Sequence, residues 1–266
     1  MGTARMNHAL LPQVRLPAVS FVSQAEYDAW CDHAAPLIAA QARTDHAALA
    51  AADPQASRLD HAATCAPCLR PTNLAIEVGD KAAGRRGRQV CDCEDALTMP
   101  ARALLHAAGV EGGLQPWSRL LLFGPAAAEH PRLAALSADA THLAGFGSDG
   151  RLDAPDGRFH LALASASLPL VAEPLAGMAE LRRVLAPGGT LLAQFAFRPR
   201  ARRSVAQPIR RESVRDGMAP HDAHDFGWDI LATLRELGFA QATMLRLWSH
   251  ELGYWGGSNF ILKAVA

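Results

Sequence analysis

The sequence has no excess of either charge and no apolar run long enough to cross a bilayer. Its 26 Lys and Arg residues equal its 26 Asp and Glu residues, so no global field draws the chain to nucleic acid or to an anionic membrane. The roughly 18 to 20 consecutive apolar residues of a membrane span are lacking. The opening residues, MGTARMNHALLPQVRLP, lack the apolar core of a signal peptide. These absences predict a soluble cytoplasmic protein with no membrane association.

Cysteine is scarce, with five residues in 266, which excludes a small scaffold built on disulfides. Four of the five fall in two tight pairs, and such pairs in a cytosolic chain indicate metal binding before disulfides. Four thiolates can surround a tetrahedral zinc ion and leave no open position. The pattern therefore predicts a structural zinc site at Cys65, Cys68, Cys91 and Cys93. Two alternatives remain open: unrelated thiols, or a redox disulfide between Cys65 and Cys68.

The first 113 residues differ in pattern from the rest. Residues 24–51 have apolar side chains at helical spacing, and residues 53–90 have no periodicity and too few apolar residues for a core of their own. Residues 101–108 are strong helix formers, and Gly112 and Gly113 end that helix. We therefore predict a helical, zinc-binding segment over residues 1–113 and a second domain over residues 114–266.

The second part alternates between strand and helix patterns, which is typical of an α/β fold with a mostly parallel sheet. Helices are expected at residues 126–136, 173–185 and 226–237. Strands are expected at residues 120–123, 141–144, 159–164, 190–197, 242–248 and 259–264. The last two strands are expected to be joined by the glycine-rich residues 253–257.

A motif that begins in the predicted helix at residues 173–185 supports this fold. Residues 180–189 read Glu-Leu-Arg-Arg-Val-Leu-Ala-Pro-Gly-Gly, which resembles the E-x-x-R-V-L-x-P-G-G segment of class I S-adenosylmethionine-dependent methyltransferases. Residues 231–239, LATLRELGF, resemble the last helix of that family. The resemblance covers residues 114–266. It implies a Rossmann-like, doubly wound sheet with a reversed C-terminal hairpin, and S-adenosylmethionine as the cofactor.

A narrower resemblance joins both parts of the chain. Residues 224–229 read His-Asp-Phe-Gly-Trp-Asp, which is similar to an element of bacterial methyltransferase-like proteins that carry an N-terminal, zinc-like cysteine segment. The two cysteine pairs match that segment. The resemblance thus implies a methyltransferase-like domain with a structural zinc module in front of it.

The resemblance also implies where the cofactor binds. In the family, the loop after the first strand approaches the methionine moiety, and here that loop begins Phe123-Gly124-Pro125. Gly145 follows the second strand, and Asp149 or Asp153 is expected to hold the adenine amino group. The loop has one glycine where the family has several, and no acid lies at residues 142–147 for the ribose hydroxyls. These departures favour a second hypothesis, a degenerate protein that has lost the cofactor.

Methyl transfer needs an acceptor in line with the methyl group and, in some cases, a base. His221 and His224 precede the last predicted helix, where the family places acceptor-facing residues, and either is a candidate base. The alternative for Asp225 is an N-cap of that helix, with His224 capping and with Phe226 and Trp228 in the core. His250, Tyr254 and Trp255 either line the same mouth or cover the hairpin.

Six arginines in 14 residues form a basic run, at Arg198, Arg200, Arg202, Arg203, Arg210 and Arg211. Guanidinium groups pair bidentately with carboxylates and phosphates, so this run could grip an anionic acceptor. The alternative is a solvated, flexible loop. No aromatic residues are interleaved with the arginines, so nucleic-acid binding is disfavoured.

Three functions follow from these observations. The leading hypothesis is a methyltransferase that acts on a small molecule or saccharide, with a structural zinc site. The second is a non-catalytic methyltransferase-like protein that serves as a zinc-stabilised partner or scaffold. The third is an RNA-modifying enzyme, which requires the basic run to bind phosphate. A protein partner and a homo-oligomer are both compatible with all three.

Overall fold

The computed structural model describes residues 18–51, 58–65, 70–77, 89–90, 99–115, 117–124, 137–165, 173–208 and 222–266. The helices are α1 (Gln24–His33), α2 (Ala35–Ala51), α3 (Met99–Val110), α4 (Pro174–Val184) and α5 (Asp229–Glu236). The strands are β1 (Ala18–Phe21), β2 (Arg58–Cys65), β3 (Arg70–Glu77), β4 (Gln89–Val90), β5 (Arg119–Phe123), β6 (Asp139–Leu143), β7 (Phe159–Ser165), β8 (Leu185–Gln194), β9 (Val205–Pro208), β10 (Asp222–Asp225), β11 (Gln241–Ser249) and β12 (Tyr254–Val265).

A seven-stranded sheet forms the centre of the molecule, in the order β1-β11-β12-β8-β7-β5-β6. The four strands β6, β5, β7 and β8 are parallel to their neighbours. Strand β12 is antiparallel to β8, and β11 is antiparallel to β12, so β11 runs in the same direction as the parallel group. The predicted α/β fold with a mostly parallel sheet and a reversed C-terminal hairpin is confirmed.

The element boundaries follow the hydrophobic periodicity closely. The helix expected at residues 173–185 is α4, and its buried face includes Met178, Leu181 and Val184, which recur at three- and four-residue spacing. The last strand is longer than predicted, since β12 begins at Tyr254 and so includes Gly256 and Gly257, which were expected in a turn. The helix predicted at residues 126–136 lies outside the described residues.

The sheet separates two hydrophobic cores. Leu121 and Phe123 of β5 lie in one core with residues of α1, α4 and α5. Leu120 and Leu122 of the same strand lie in the other core, against α3. Alternate side chains of a strand point to opposite faces, and a strand that is buried on both faces is apolar without interruption. This explains the continuous Leu-Leu-Leu-Phe run that marked β5 in the sequence.

The Pro187-Gly188-Gly189 motif lies inside β8 rather than between helix and strand. Helix α4 ends at Val184 and β8 begins at the next residue. The register with β7 shifts between Leu185 and Thr190, so the motif forms a bulge. Gly188 has φ +75°, and a Cβ at Gly189 would lie 2.9 Å from the Phe159 carbonyl oxygen. Glycine is required at both positions, for conformation at one and for close packing at the other.

The N-terminal part contributes to the same two cores. Strand β1 pairs with β11 at the sheet edge, and α3 contacts β7, β8 and β12. A separate antiparallel sheet, in the order β2-β3-β4, occupies the region that was expected to be helical or patternless, and this expectation was wrong for its described residues. Strands β2 and β3 are joined by only four residues. Periodicity did not reveal this sheet because the β2 sequence, RLDHAATC, does not alternate regularly between apolar and polar residues. The domain boundary near residue 114 stays a prediction.

The helices of the described part are all shorter or more polar than a bilayer span requires. The longest of them, α2, has 17 residues.

Candidate active site

The four parallel strands end together at one edge of the sheet, called here the carboxyl edge. Strand β5 ends at Phe123, β6 at Leu143, β7 at Ser165 and β8 at Gln194. Phe123 is in register with Leu143, and Ser165 with Gln194. Ligands of open α/β sheets bind outside the carboxyl ends of the strands. The predicted cofactor residues Phe123, Gly124 and Gly145 all belong to this edge.

The chain turns sharply at Gly124, directly after β5. Gly124 has φ +97°, a conformation that side chains other than glycine rarely adopt. Its N–H donates to the Leu143 carbonyl oxygen at 2.9 Å, and its own carbonyl accepts from His142 Nε2 at 3.1 Å. Because the Gly124 N–H is already used, this residue shapes the edge and offers no backbone donor to a ligand. Pro125 lies outside the described residues.

The chain that follows β6 has a packed aromatic residue, Phe146, next to an exposed glycine, Gly145. The Phe123 ring packs against Phe146, with ring centres 4.9 Å apart, and Phe123 is almost fully buried. A Cβ built on Gly145 would meet nothing within 4 Å. Phe123 therefore belongs to the core, and the open space of this edge lies beside Gly145.

Asp149 and Asp153 lie on the irregular connection between β6 and β7. Asp149 Oδ1 accepts from the Arg151 backbone N–H at 3.0 Å, within its own turn. Both aspartates are exposed, and both line a surface depression of about 490 Å³. The other lining residues are Gly147, Arg151, Leu152, Ala154, Pro155 and Arg183. Phe123, Gly124 and Gly145 do not line it, so the predicted cofactor residues fall into two groups.

Glu180 and Arg183, the two charged residues of the E-x-x-R motif, bind the connection between β6 and β7. This pair and its contacts are called the clamp. Arg183 donates to the carbonyl oxygens of Leu152 and Ala154 at 3.1 and 3.0 Å, and it pairs with Asp156. Arg183 Nη2 also lies 2.8 Å from Glu180, while Glu180 accepts from the Leu152 N–H at 3.1 Å. The clamp holds residues 152–156 against the end of α4.

Both partners of the clamp stay charged. The hydrogen bond from Arg183 is the main cause that lowers the pKa of Glu180, with a further contribution from the Leu152 N–H. The hydrogen bond to Glu180 raises the pKa of Arg183. Hydrogen bonding to a charged form favours that form, so the clamp is an ion pair whose acceptors are all satisfied.

A short hairpin brings His224 to the carboxyl edge. Strand β10 pairs with β9, and Phe226 is bridged to Phe197, three residues beyond the end of β8. The Phe226 ring lies 4.6 Å from the Phe195 ring and 6.3 Å from the His224 ring. His224 thus lies beside the chain that continues from β8.

Two buried polar atoms, one at the end of β8 and one in β10, have no hydrogen-bond partner among the described residues. His224 Nδ1 and Gln194 Oε1 are both buried, and neither forms a hydrogen bond with any described residue. Buried polar atoms are nearly always paired, so an orphaned one points to a missing ligand or water. The sequence pattern predicts a site role for His224 and none for Gln194, because a glutamine at the end of an apolar strand carries no motif.

Asp225 does not cap the last helix, so the capping alternative was wrong. Helix α5 begins at Asp229, after Trp228 as the N-cap residue, and Asp225 lies in β10 as an ion-pair partner of Arg198. Asp229 instead accepts from the Ser204 backbone N–H and hydroxyl, at 2.9 and 2.6 Å. The predicted core positions of Phe226 and Trp228 are confirmed, since both are buried.

Of the other predicted acceptor-site residues, the structure describes the side chains of His250 and Tyr254. His221 is outside the described residues, and nothing is described of the Trp255 side chain. His250 pairs with Asp45 of α2. Tyr254 is completely buried, so it does not line a mouth.

The basic run is ordered over its described part, residues 198–203. The Trp228 N–H donates to the Ala201 carbonyl oxygen at 3.1 Å, and the Asp229 N–H donates to that of Arg202 at 3.0 Å. Arg202 and Arg203 are exposed. These residues form a loop with exposed arginines, as the solvated-loop alternative expects, and the two hydrogen bonds hold its backbone beside the start of α5. Arg210 and Arg211 lie outside the described residues.

The cysteine pairs are described at one position. Cys65 is the last residue of β2 and is completely buried, and Cys68, Cys91 and Cys93 lie outside the described residues. Within the parts of the chain that the structure describes, no three metal-ligating side chains come together. The zinc site stays a prediction.

Two of the solved structures to which this chain is similar are described as SAM-dependent methyltransferases. A SAM-dependent methyltransferase from Aquifex aeolicus is 15% identical, with a TM-score of 0.37, and covers 58% of this chain and 85% of its own. One from Mesorhizobium loti is 15% identical, with a TM-score of 0.36, and covers 58% of this chain and 94% of its own. No family model and no curated protein sequence matches this chain.

Proposed function

We propose that the chain is an S-adenosylmethionine-dependent methyltransferase that acts on a small molecule or saccharide. The observation that carries the proposal is the carboxyl edge. There Gly124 makes a sharp turn and no described atom approaches a Cβ built on Gly145. Buried polar atoms of Gln194, at the end of β8, and of His224, in β10, have no partner among the described residues. Parallel strand ends are where such folds bind their ligands. The cofactor would lie over the ends of β5 and β6, and the acceptor beside His224 and Gln194.

Gly124 and Gly145 leave the strand ends without side chains where the cofactor is proposed to bind, and the acceptor is proposed to meet the polar side chains of Gln194 and His224. When bound, S-adenosylmethionine supplies an electrophilic methyl group on a positively charged sulfur. Gln194 Oε1 accepts a hydrogen bond from an acceptor hydroxyl or amine and orients it. His224 Nδ1, with the ring proton on Nε2, accepts the proton that the acceptor loses as its lone pair forms the new bond to carbon.

The zinc site belongs to the same proposal. Cys65, Cys68, Cys91 and Cys93 are proposed to bind one structural zinc ion, with all four positions filled by thiolates. Its binding free energy would stabilise the β2-β3-β4 region. Thiolate ligands are retained in a reducing compartment, which supports the cytoplasm as the location.

A second candidate is the non-catalytic scaffold, and one observation favours it. The Gly124 N–H is used by Leu143, and no acid ends β6 to hold the ribose hydroxyls. Both features remove contacts that the family resemblance implies.

Calorimetric titration with S-adenosylmethionine and with its demethylated product separates the two candidates. We expect binding of both by the native chain and loss of binding by Gly124→Ala, because alanine strains the +97° turn. The matched control is Gly238→Ala, at φ +94° after α5, which imposes the same strain away from the edge. Binding by the native chain and by the control alone supports the enzyme. Absence of binding by the folded native chain overturns it in favour of the scaffold.

A further inference from the structure

The parallel strands begin at the edge of the sheet opposite to the carboxyl edge, called here the amino edge. Strand β5 begins at Arg119 and β6 at Asp139, and these two residues are in register. His160 is the second residue of β7, and its ring contacts Arg119. Arg158 immediately precedes β7. The starts of three strands thus bring two arginines, a carboxylate and an imidazole together.

The hydrogen bonds of His160 determine which ring nitrogen carries the proton. Its Nδ1 accepts from the Arg119 backbone N–H at 3.0 Å, so Nδ1 has no proton. The ring is then neutral, with its proton on Nε2. Arg119 Nη2 lies 3.2 Å from this Nε2, and a guanidinium group donates hydrogen bonds but cannot accept them. Two N–H donors therefore face each other without an acceptor between them.

The same guanidinium has a further unused donor. Arg119 Nε is buried and has no hydrogen-bond partner in the part of the chain that the structure describes. Nε–H and Nη2–H lie side by side on a guanidinium, an arrangement that matches two oxygens of a carboxylate or phosphate. The Asp139 carboxylate is bound elsewhere, since it accepts from Arg158 Nη2 at 3.0 and 3.3 Å. Two donors of Arg119 and one of His160 thus lie together without an acceptor among the described residues.

An exposed aromatic ring flanks these donors. The Trp117 residue is 71% exposed, and its ring centre lies 5.8 Å from that of His160. Tryptophan combines a large apolar face with rigid geometry, which suits it to binding planar groups. A group attached to a ligand at His160 Nε2 is therefore within reach of the indole ring.

We propose that Arg119 and His160 bind an oxyanion, a carboxylate or a phosphate, that carries an aromatic group packed on Trp117. The Nε–H and Nη2–H groups of Arg119 donate to the oxyanion, and so does the Nε2–H group of His160. A water molecule fits less well, because its two lone pairs cannot accept from three donors and it brings no charge to balance the guanidinium. The site lies at the amino edge, so this inference does not rest on methyl transfer.

The test follows the side-chain N–H signals of Arg119 Nε and His160 Nε2 in the full-length protein by proton–nitrogen correlation NMR. The probes are phenyl phosphate and benzoate, their ring-free counterparts inorganic phosphate and acetate, and the neutral benzyl alcohol. We expect both signals to shift with phenyl phosphate or benzoate, and the tighter of the two identifies the oxyanion. It should bind about 2 to 10-fold more tightly than its ring-free counterpart. Trp117→Ala should remove this difference.

Three variants assign the binding to the proposed donors. Arg119→Met should weaken binding by about 10 to 100-fold, as expected for the loss of charged hydrogen bonds. His160→Asn should weaken it by about tenfold, because its amide oxygen can still accept from the Arg119 N–H while the Nε2–H donor is lost. The matched control combines Arg158→Met with Asp139→Asn. It removes the neighbouring ion pair without leaving a free carboxylate, and it should keep the native affinity.

Each outcome decides the proposal. If no probe shifts either signal, or if the native spectrum places the His160 proton on Nδ1, the site is overturned. Equal weakening in Arg119→Met and in the control assigns binding to the general charge of the edge and overturns it as well. Equal affinity for benzyl alcohol overturns the oxyanion class.

A variant that retains the charge covers the case in which Arg119→Met does not fold. Arg119→Lys lacks the paired donors of the guanidinium and should still bind more weakly than the native chain; native affinity in this variant would overturn the role of Arg119. A native chain that binds phenyl phosphate or benzoate at this edge but does not bind S-adenosylmethionine would refute the methyltransferase proposal alone.

Discussion

Two polar regions of the sheet differ in how their hydrogen bonds are used. In the clamp between α4 and the β6–β7 connection, Arg183 and Glu180 meet a carbonyl, a backbone N–H or an opposite charge at each contact. At the carboxyl edge, His224 Nδ1 and Gln194 Oε1 are equally buried and meet nothing in the described structure. The contacts of the first region stabilise the fold, and the second region is the one that we propose binds a ligand.

This difference separates the motif from the function. The E-x-x-R motif lies in α4, and its Glu180 and Arg183 side chains form hydrogen bonds with residues 152–156. The atoms with unused hydrogen-bonding capacity belong to residues without a motif or with a partial one. A satisfied polar network favours a structural role, and an orphaned buried atom favours binding.

The largest expected effect is at the edge. His224→Ala should lower turnover by about 10² to 10⁴-fold, the range for loss of a general base, while affinity for S-adenosylmethionine stays unchanged. Steady-state kinetics and calorimetry measure the two quantities. His160→Ala is the control, because this histidine accepts from the Arg119 N–H at the start of β7, away from the strand ends. Full activity of His224→Ala would leave His224 only a packing role.

Substitutions in the clamp should lower the free energy of unfolding and should not change the rate of methyl transfer. Arg183→Met should lower the free energy of unfolding by about 2–4 kcal/mol, because it leaves Glu180 and two carbonyl groups without their donor. Arg182→Met is the control, since its Nε donates to one carbonyl, that of Gly238, at 3.0 Å; the expected loss is about 1 kcal/mol. Urea unfolding measures both. Equal losses would show that the clamp is no stronger than a single bond.

Gln194→Leu should have opposite effects on stability and on binding. Removing an orphaned buried carbonyl should keep or raise the free energy of unfolding, by up to about 1 kcal/mol. The KM for the acceptor should rise about tenfold, as expected for one lost hydrogen bond, with cofactor affinity unchanged. Denaturation and kinetics measure the two. A destabilised variant with native KM would mean that Gln194 has a structural partner.

The smallest effect is a pH dependence in the clamp. Since the pKa of Glu180 lies below its ordinary value of 4.5 in the folded protein, its contribution is complete above that pH and is lost as the pH falls through the folded-state pKa. The stability difference between the native chain and Glu180→Gln should therefore shrink on acidification. In an Arg183→Met background the difference should depend less on pH, because only the Leu152 N–H and Arg151 remain to interact with Glu180. A constant difference in the native background would contradict the ion pair.

Periodicity predicted most of the central sheet and its helices, because their apolar faces are local in sequence. It predicted α4 and α5 and the strands β5 to β8, β11 and β12. It did not predict β1, β2, β3 or the β9–β10 hairpin, whose sequences are short or lack a regular alternation of apolar and polar residues. Asp225 had the residue type of an N-cap, and only the hairpin showed that it belongs to a strand and pairs with Arg198.

The sequence by itself determined the fold class and the position of Gly124, because a buried parallel sheet requires apolar runs and a sharp turn requires glycine. The tertiary structure decided which polar groups remain unsatisfied. His224 and Gln194 are 30 positions apart, and the β9–β10 hairpin brings His224 beside the chain that continues from Gln194. Hydrogen-bond satisfaction depends on neighbours in space, so no pattern along the chain reveals it.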